Sequence, residues 1–542
     1  MGRLRESLRA FGEAFRNPAI RRLELAWAGA NLGTWAYSVG VAVFAYEQGG
    51  AKAVGIVGFG RWGAAALLSP WLALVADRYP RRRVMVGADT VRVAALALAA
   101  AAVELGWAPM LVYALTGVVA SAASAFHPAE AALRPALARS PEELTAANVV
   151  SSTISAVGTL GGPAIGGLLL AAGGAGVVFA AAAGMLLWSA LLVLAIRVEE
   201  PPPEVEERSV VAAAFAGFGA ILGDARLRVV MGLFAGQLIV NGIMAVLVVV
   251  LALRMLHLGP SGVGWLNAAA GLGGVAGALV SAALIGRRRL GADFGAGLVL
   301  WGLPLVAIGL WVSTPAALVL LVLFGIGGTV ADVAGMTLLQ RIAPEAVLAR
   351  VFGVLETVIL VTLGLGSLLA PALVAALGDC GALVAAGLLL PILVLPLWPR
   401  LQALDRETVV PARQLELLRA IPIFSPLAPP ELERLAASLV PVEVAPLAVV
   451  CAEGEVGDRF YLVDSGRAVV EVDGAERAEL GPGEFFGEIA LLRDVPRTAT
   501  VRALEPLRLY ALDRDVFLPV VTGHAPSYEA AETVVGARLA RA

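Results

Sequence analysis

The chain is organised by long apolar runs. A helix that crosses a bilayer needs about 20 mostly apolar residues, and twelve stretches before residue 400 meet that length. They span residues 22–46, 53–76, 83–104, 108–128, 145–172 and 175–196, then 229–253, 261–285, 293–312, 315–339, 350–375 and 381–398. The sixth and seventh are separated by Glu199 to Arg208, which includes Pro201, Pro202 and Pro203. Charge and consecutive prolines predict an exposed linker there. Ahead of the first stretch, Leu4, Leu8, Phe11 and Phe15 recur at helical spacing, with Arg3, Arg5, Arg9 and Arg16 off that face. This predicts an amphipathic helix lying in the membrane interface.

From Leu401 the pattern changes. Residues 413–440 show two short helical periods broken by Pro422, Pro426, Pro429 and Pro430. Residues 441–512 show short β-type runs between glycines, such as Phe460 to Val463 and Ala468 to Val472, and residues 513–541 return to a helical period. A small α+β domain is expected. The predicted fold is therefore a membrane all-α unit with twelve transmembrane helices in two six-helix repeats, followed by a cytoplasmic α+β domain. The expected divisions are an N-terminal amphipathic helix (1–20), a first six-span half (21–198), a cytoplasmic linker (199–228), a second half (229–400), a connector (401–415) and a soluble domain (416–542).

Composition and charge sharpen this reading. The chain is 59% hydrophobic and 15% charged, against about 45–50% and about 25% in soluble proteins. Arginine is concentrated on one side: Arg21, Arg22, Arg78, Arg81, Arg82, Arg83, Arg134, Arg139, Arg197, Arg208, Arg287, Arg288, Arg289, Arg341 and Arg350. Only Lys52 and Arg254 lie near loops of the other side. Positive charge marks the cytoplasm, so both termini and everything after Pro399 are expected there, with the chain multi-pass in the plasma (inner) membrane. The sixes also repeat weakly: Gly55 and Arg78 fall on Gly264 and Arg287 at a shift of 209, and Gly158 and Pro163 fall on Gly366 and Pro371 at a shift of 208. Parallel repeats are a known transporter layout. Cys380 and Cys451 lie one in each part, so no disulfide framework is expected.

Two membrane motifs carry a resemblance. Ala73-x-x-x-Asp77-Arg78-Tyr79-Pro80-Arg81-Arg82 resembles the loop motif of the major facilitator superfamily, with Ala73 and Pro80 in place of its two glycines. The resemblance implies that Asp77, with Arg78 and Arg82, latches one conformation; the alternative is a purely topological basic cluster. Gly158-x-x-x-Gly162-Pro163-x-x-Gly166-Gly167 is similar to the pattern of that superfamily's exporters and antiporters. Small residues let helices approach closely and proline allows a bend. The run from Pro128 through Ala147-Asn148 into this motif resembles the proton-linked exporter branch.

Ionisable groups within spans are costly and usually functional. Here they are Arg61, Asp89, Arg92, Asp332 and Glu356. Asp332 is the first candidate for a proton-coupling carboxylate, with a buried ion pair to an arginine as the alternative; Glu356 is the second. Asp89 and Arg92, one turn apart, are expected to pair with each other. Asn31 and Asn241 hold nearly equivalent places in the two repeats, and either face a central cavity or bond between helices. His127 and His257 lack metal-ligand spacing to a partner, and no metal site is expected.

The soluble half carries Phe486-Gly487-Glu488-Ile489-Ala490-Leu491-Leu492, followed by Pro496-Arg497-Thr498-Ala499-Thr500-Val501. A cyclic phosphate is a monoanion that one buried arginine can fork onto, and glycine lets backbone approach a ligand. The segment resembles the phosphate-binding cassette of cyclic-nucleotide-binding domains. That resemblance implies that Glu488 holds the ribose 2′-hydroxyl and Arg497 the exocyclic phosphate oxygens. Gly487, Ala490 and Ala499 would offer backbone contacts, with Phe486, Ile489 and Thr498 completing the site. Thr498 leaves cyclic AMP and cyclic GMP both open. Pro446 stands where a glycine is usual.

No G-x-x-x-x-G-K-[ST] motif is present, which argues against transport driven by ATP. The expectation is a non-enzymatic, proton-coupled exporter of a small molecule, regulated by cyclic AMP or cyclic GMP, with membrane lipid, nucleotide and substrate as partners and no nucleic acid polymer. A nucleotide sensor without flux, an exporter of the nucleotide itself and a constitutive transporter with a vestigial domain are the alternatives.

Overall fold

Helix is the form in which a backbone satisfies its own hydrogen bonds away from water, and the long apolar runs take it. The computed structural model describes residues 15–198, 210–283, 289–407, 412–427 and 429–540. The chain divides into two units, Met1–Glu407 and Thr408–Ala542.

The first unit is helical: α1 (Pro18–Arg78), α2 (Arg81–Glu104), α3 (Pro109–Leu137), α4 (Pro141–Leu194), α5 (Val210–Gly223), α6 (Ala225–Val250, ending in a π-turn over Leu251–Met255), α7 (Gly259–Ala283), α8 (Leu290–Leu310), α9 (Thr314–Ile342) and α10 (Glu345–Glu407). Among the described residues, eight helices are long and apolar enough to cross a membrane. Three of the longest helices are interrupted. Non-helical backbone occurs at Gly49 and Gly50 in α1, Gly173 and Gly174 in α4, and Gly378 in α10. Gly50, Gly174 and Gly378 have φ of 61°, 76° and 72°, a region that glycine alone enters without steric cost. Each break falls between two of the apolar stretches read from the sequence.

Three boundaries differ from expectation. Helix α3 runs past residue 128 to Leu137, because its polar residues find partners in the interior. Arg134 Nε donates to Glu24 Oε1 at 3.1 Å, and its other nitrogens reach Glu130, Asn148 and Ser151. Glu24 is fully buried there. Helix α5 occupies part of the stretch expected as linker, where Val210 to Gly223 is almost wholly apolar. Helix α10 continues past Pro399 through the first half of the expected connector. Leu401 and Leu404 are buried in the core, and Asp405 accepts from Gly291 N at 2.6 Å and Ala292 N at 3.0 Å. A helix start leaves four N–H groups without internal partners, and this carboxylate satisfies two of them at the start of α8. The expected amphipathic segment before residue 15, the proline-rich linker to residue 209 and Arg287–Arg288 lie outside the described residues.

The second unit opens with α11 (Ala412–Ala420) and α12 (Pro429–Ser438). Eight strands follow, with a short helix among them: β1 (Val440–Val444), β2 (Val449–Cys451), β3 (Arg459–Ser465), β4 (Ala468–Val472), β5 (Ala475–Leu480), β6 (Phe485–Phe486), α13 (Glu488–Arg493), β7 (Thr500–Ala503) and β8 (Leu507–Asp513). Helices α14 (Arg514–Thr522) and α15 (Ala525–Leu539) close the unit. The strands form two antiparallel sheets, ordered β1-β8-β3-β6 and β2-β7-β4-β5. Strand β3 is buried on both faces, and its period of two divides the core. Tyr461 and Val463 join a cluster with residues of both sheets, while Phe460 and Leu462 join one built with the helices. Phe424, Phe460, Phe485 and Phe517 form the aromatic centre of the latter.

Candidate nucleotide site and membrane cavity

In the second unit the cassette residues converge at the end of β6. Phe485 and Phe486 pair with Leu462 and Tyr461 of β3, and the chain then turns at Gly487, which has φ 93°. A Cβ at Gly487 would lie 2.6 Å from Arg497 Nη1 and 2.8 Å from Arg459 O. The glycine is needed both for the turn and for the approach of the arginine. Arg497 is 5% exposed. Its Nη2 donates to Arg459 O at 2.8 Å and its Nη1 to Gly487 O at 3.3 Å. Its guanidinium lies 5.6 Å from the centre of the Tyr461 ring. The exposed Asp458 brings a carboxylate to 3.6 Å from its Nη2. The backbone around Arg497 is also fixed: its N–H donates to Glu455 O at 2.7 Å, and its carbonyl accepts from Gly454 N at 2.8 Å. The arginine is thus held by main-chain carbonyls, with one solvent-exposed carboxylate at the edge of ion-pair distance.

Glu488, the first residue of α13, is fully buried. Its Oε1 accepts from Arg538 Nη1 of α15 at 2.8 Å, and its Oε2 is buried without a hydrogen-bond partner. Burial pushes its carboxyl above the ordinary glutamate value, against the pull of Arg538. An unsatisfied buried carboxylate oxygen costs free energy unless something supplies a donor. Arg538 also lies 4.4 Å from the centre of the Phe485 ring, and Arg493 pairs with Glu532 at 2.7 Å. Helix α15 is therefore tied to the cassette at two points. Ala490 is buried, with its Cβ against Gly457. Ile489 and Ala499 are half-buried and Thr498 is exposed. Sequence reasoning passed over Arg538, because nothing local marks one arginine on a C-terminal helix as the partner of a residue fifty positions earlier.

In the first unit a cavity of about 450 Å³ opens between the helices. Asp332, Asn241, Pro163 and Arg61 all line it. Asp332 Oδ1 accepts from Gln237 Nε2 at 2.5 Å. Among the described residues no arginine pairs with Asp332, so the alternative of a buried ion pair finds no support. Glu356 and Asn31 do not line this cavity. Asn31 is buried against α4, where a Cβ at Gly158 would meet its Oδ1 at 2.5 Å. The similar sequence places of Asn31 and Asn241 thus lead to different surroundings. The glycine motif of α4 is a packing face. Gly158, Gly162 and Gly166 lie against Asn31, Trp35 and Ala36 of α1, while a Cβ at Gly167 would be 3.0 Å from Gly264 Cα of α7.

Asp89 and Arg92 pair at 3.0 Å and are buried, with Ser189 bonded to Asp89 at 2.6 Å. Arg82 donates to Val193 O and Leu194 O at the end of α4. Arg78 is exposed at the end of α1. The side chain of Asp77 lies outside the described residues. Gln237 was missed by sequence reasoning, since a neutral glutamine in a span carries no charge signal.

An apolar helical unit with an internal cavity, joined to a double-sheet domain with a buried arginine and glutamate, describes a polytopic membrane protein with an attached ligand-binding module. Residues 25–292 and 233–442 match the family description of the Major Facilitator Superfamily, and residues 441–524 match that of the cyclic nucleotide-binding domain. The chain belongs to the major facilitator superfamily and carries a C-terminal cyclic nucleotide-binding domain. It is similar to a cAMP-dependent protein kinase regulatory subunit of Yarrowia lipolytica, 45% identical over 18% of this chain and 27% of that protein. It is also similar to a cyclic nucleotide-gated potassium channel of Rhizobium etli, 37% identical over 24% of this chain and 35% of that one. A third relative is an acetyltransferase of Mycolicibacterium smegmatis, 42% identical over 18% of this chain and 31% of that protein. The chain spans between 27% and 35% of the length of these three relatives.

Proposed function

We propose that this chain is a proton-coupled exporter of a small molecule whose flux is set by cyclic AMP bound to the C-terminal domain. On this reading the glycine breaks divide α1, α4 and α10 into paired spans, giving twelve in two repeats of six. Both termini and the nucleotide domain then lie on the cytoplasmic side of the plasma membrane, where the arginine-rich loops are.

The observation that carries the regulatory part is the state of Arg497 and Glu488. Both are buried, one a cation held by two carbonyls with only the exposed Asp458 near it, the other with a carboxylate oxygen lacking a donor. A cyclic nucleotide answers both needs, its phosphate taking the arginine and its 2′-hydroxyl donating to Glu488 Oε2. Gly487, Ala490 and Ala499 then supply backbone contacts, and Phe486, Ile489 and Thr498 line the ring. Cyclic AMP is put ahead of cyclic GMP because the names of the first relative and its kin concern cyclic AMP. The transport part rests on Asp332, whose carboxylate faces the cavity with one neutral partner. Asp77, Arg78 and Arg82 are assigned to gating, and the glycine face from Gly158 to Gly167 to the sliding contact between helices. Glu356 is the reserve coupling carboxylate.

Calorimetry on the full-length protein tests the binding reading. Cyclic AMP is expected to bind one site per chain and to lose that site in Arg497→Ala; heat unchanged in the variant would reject the assignment.

A further inference from the structure

The cavity holds a cation that the coupling mechanism does not use. Arg61 lies in the second arm of α1 and lines the cavity, and its Nε is buried without a hydrogen-bond partner. Among the described residues no carboxylate pairs with it. Its guanidinium sits between two ring faces instead, 5.0 Å from the centre of Tyr37 and 5.6 Å from that of Trp62. Ring faces offset only part of the cost of a partly desolvated cation, and an unpaired charge inside a span is expensive enough that it is rarely kept without a use. Arg61 is half-buried, whereas the two arginines buried among the described residues of this unit are matched: Arg92 has Asp89, and Arg134 has Glu24 and Glu130. Arg61 is the exception, and it is the one that faces the cavity.

The remaining walls say what accompanies the charge. Trp35, Trp62, Trp301 and Phe324 present aromatic surface. Trp301, another lining residue, has an indole N–H that is likewise buried and unpartnered. Asp332 is on the lining too, but it is not paired with Arg61. A cation with free donors, a second donor and flat apolar walls together select an acceptor-rich anionic group on an aromatic or apolar body. A guanidinium fork is matched to the planar oxygens of a carboxylate or to a phosphate.

We infer that the transported substrate is an amphiphilic organic anion, a carboxylate, phosphate ester or sulfonate on a flat apolar body, with Arg61 as its counter-charge. This rests on the transporter reading above and deepens it. With the anion on Arg61, the charge left in the cavity is that of Asp332, which a proton neutralises.

The test is binding to purified full-length protein in nanodiscs with no pH gradient, so it does not depend on coupling. The probes are 1-naphthoate, 1-naphthyl phosphate and 1-naphthalenesulfonate, with the neutral 1-naphthamide and the cationic 1-naphthylmethylammonium as controls. At least one anion is expected to bind about thirtyfold or more tightly than the amide, the size of effect set by a buried charge partner. Arg61→Gln should erase that preference, Arg61→Lys should keep part of it, and Asp332→Asn, which removes a negative charge from the same cavity, should strengthen it. Equal binding of anion and amide, no anion binding in the panel, preference for the ammonium probe, or an unchanged preference in Arg61→Gln would each overturn the inference. Uphill transport that persists in Asp332→Asn, with anion preference intact, would instead count against the coupling reading alone.

Discussion

Arg538 of the last helix donates to Glu488 Oε1 at 2.8 Å while Glu488 Oε2 stays buried and unpartnered. One oxygen of this carboxylate is thus taken by the C-terminal helix, and the other is free to accept from a ligand. Binding at that position and the docking of α15 are linked through Glu488. Arg538→Ala is expected to weaken cyclic AMP binding by roughly fivefold or more and to leave α15 exchanging amide hydrogens faster. Calorimetry and hydrogen exchange check both; unchanged affinity would separate the helix from the site.

Arg497→Ala should remove measurable nucleotide binding, a loss of about 2–5 kcal/mol for a buried charge partner. The fold of the domain should survive, because Arg497 bonds to carbonyls of Gly487 and Arg459 rather than to side chains of the core. Arg497→Lys is expected to recover only part, since an ammonium lacks the planar fork. Titration of all three forms with circular dichroism alongside distinguishes loss of site from loss of fold.

Glu488 makes the stability of the domain depend on pH. Its carboxyl is raised by burial above the ordinary value of 4.5, so the native state holds this proton more tightly than the unfolded chain. That contribution is complete below the ordinary value and is lost as pH rises through the raised native one. Glu488→Gln carries no such charge. The variant should gain stability relative to wild type between acid and neutral pH, while binding nucleotide more weakly. Urea unfolding of residues 408–542 across that range, a unit with its own two core clusters, measures it; a difference independent of pH would show that Arg538 fully compensates the burial.

Asp332→Asn should abolish flux driven uphill by a pH gradient yet allow downhill exchange. The amide oxygen can still accept from Gln237, which bonds Oδ1 in the native chain, so folding should be unchanged. Flux in proteoliposomes with and without a gradient is the check, and full uphill transport in the variant would move attention to Glu356.

Gly167→Val should hold α4 away from α7. A Cβ there would already stand 2.9 Å from Ser261 O and 3.0 Å from Gly264 Cα, contacts that backbone cannot yield cheaply. Single cysteines placed near Gly167 and Gly264 should label faster in the variant. Equal labelling would mean that the added side chain does not part the two helices at this contact.

How far the structure could be read beforehand varies with the range of the interactions. The apolar runs announced the helices, and the glycine pairs between them, Gly49-Gly50 and Gly173-Gly174, coincide with the breaks. The alternation in Phe460 to Val463 announced a strand, and the cassette residues came together around Gly487. Features set by distant partners were hidden. Asp405 looked like a polar linker residue, but it caps a helix more than a hundred residues away. Glu24 and Glu130 were overlooked because their partner, Arg134, looked like a loop charge. Asn31 and Asn241 seemed equivalent by position, yet the packing of α4 takes one of them out of the cavity. Position along a chain carries periodicity, whereas the identity of a buried polar partner depends on which helices meet.

The most direct measurement is substrate flux in proteoliposomes holding purified wild type or Arg497→Ala, with and without cyclic AMP on the face that carries the nucleotide domain. Nucleotide should change wild-type flux by roughly fivefold or more, as a coupling of about 1–3 kcal/mol requires, and should leave Arg497→Ala unaffected. Flux in the wild type that ignores cyclic AMP, while the nucleotide is bound, would contradict regulation of transport by the C-terminal domain.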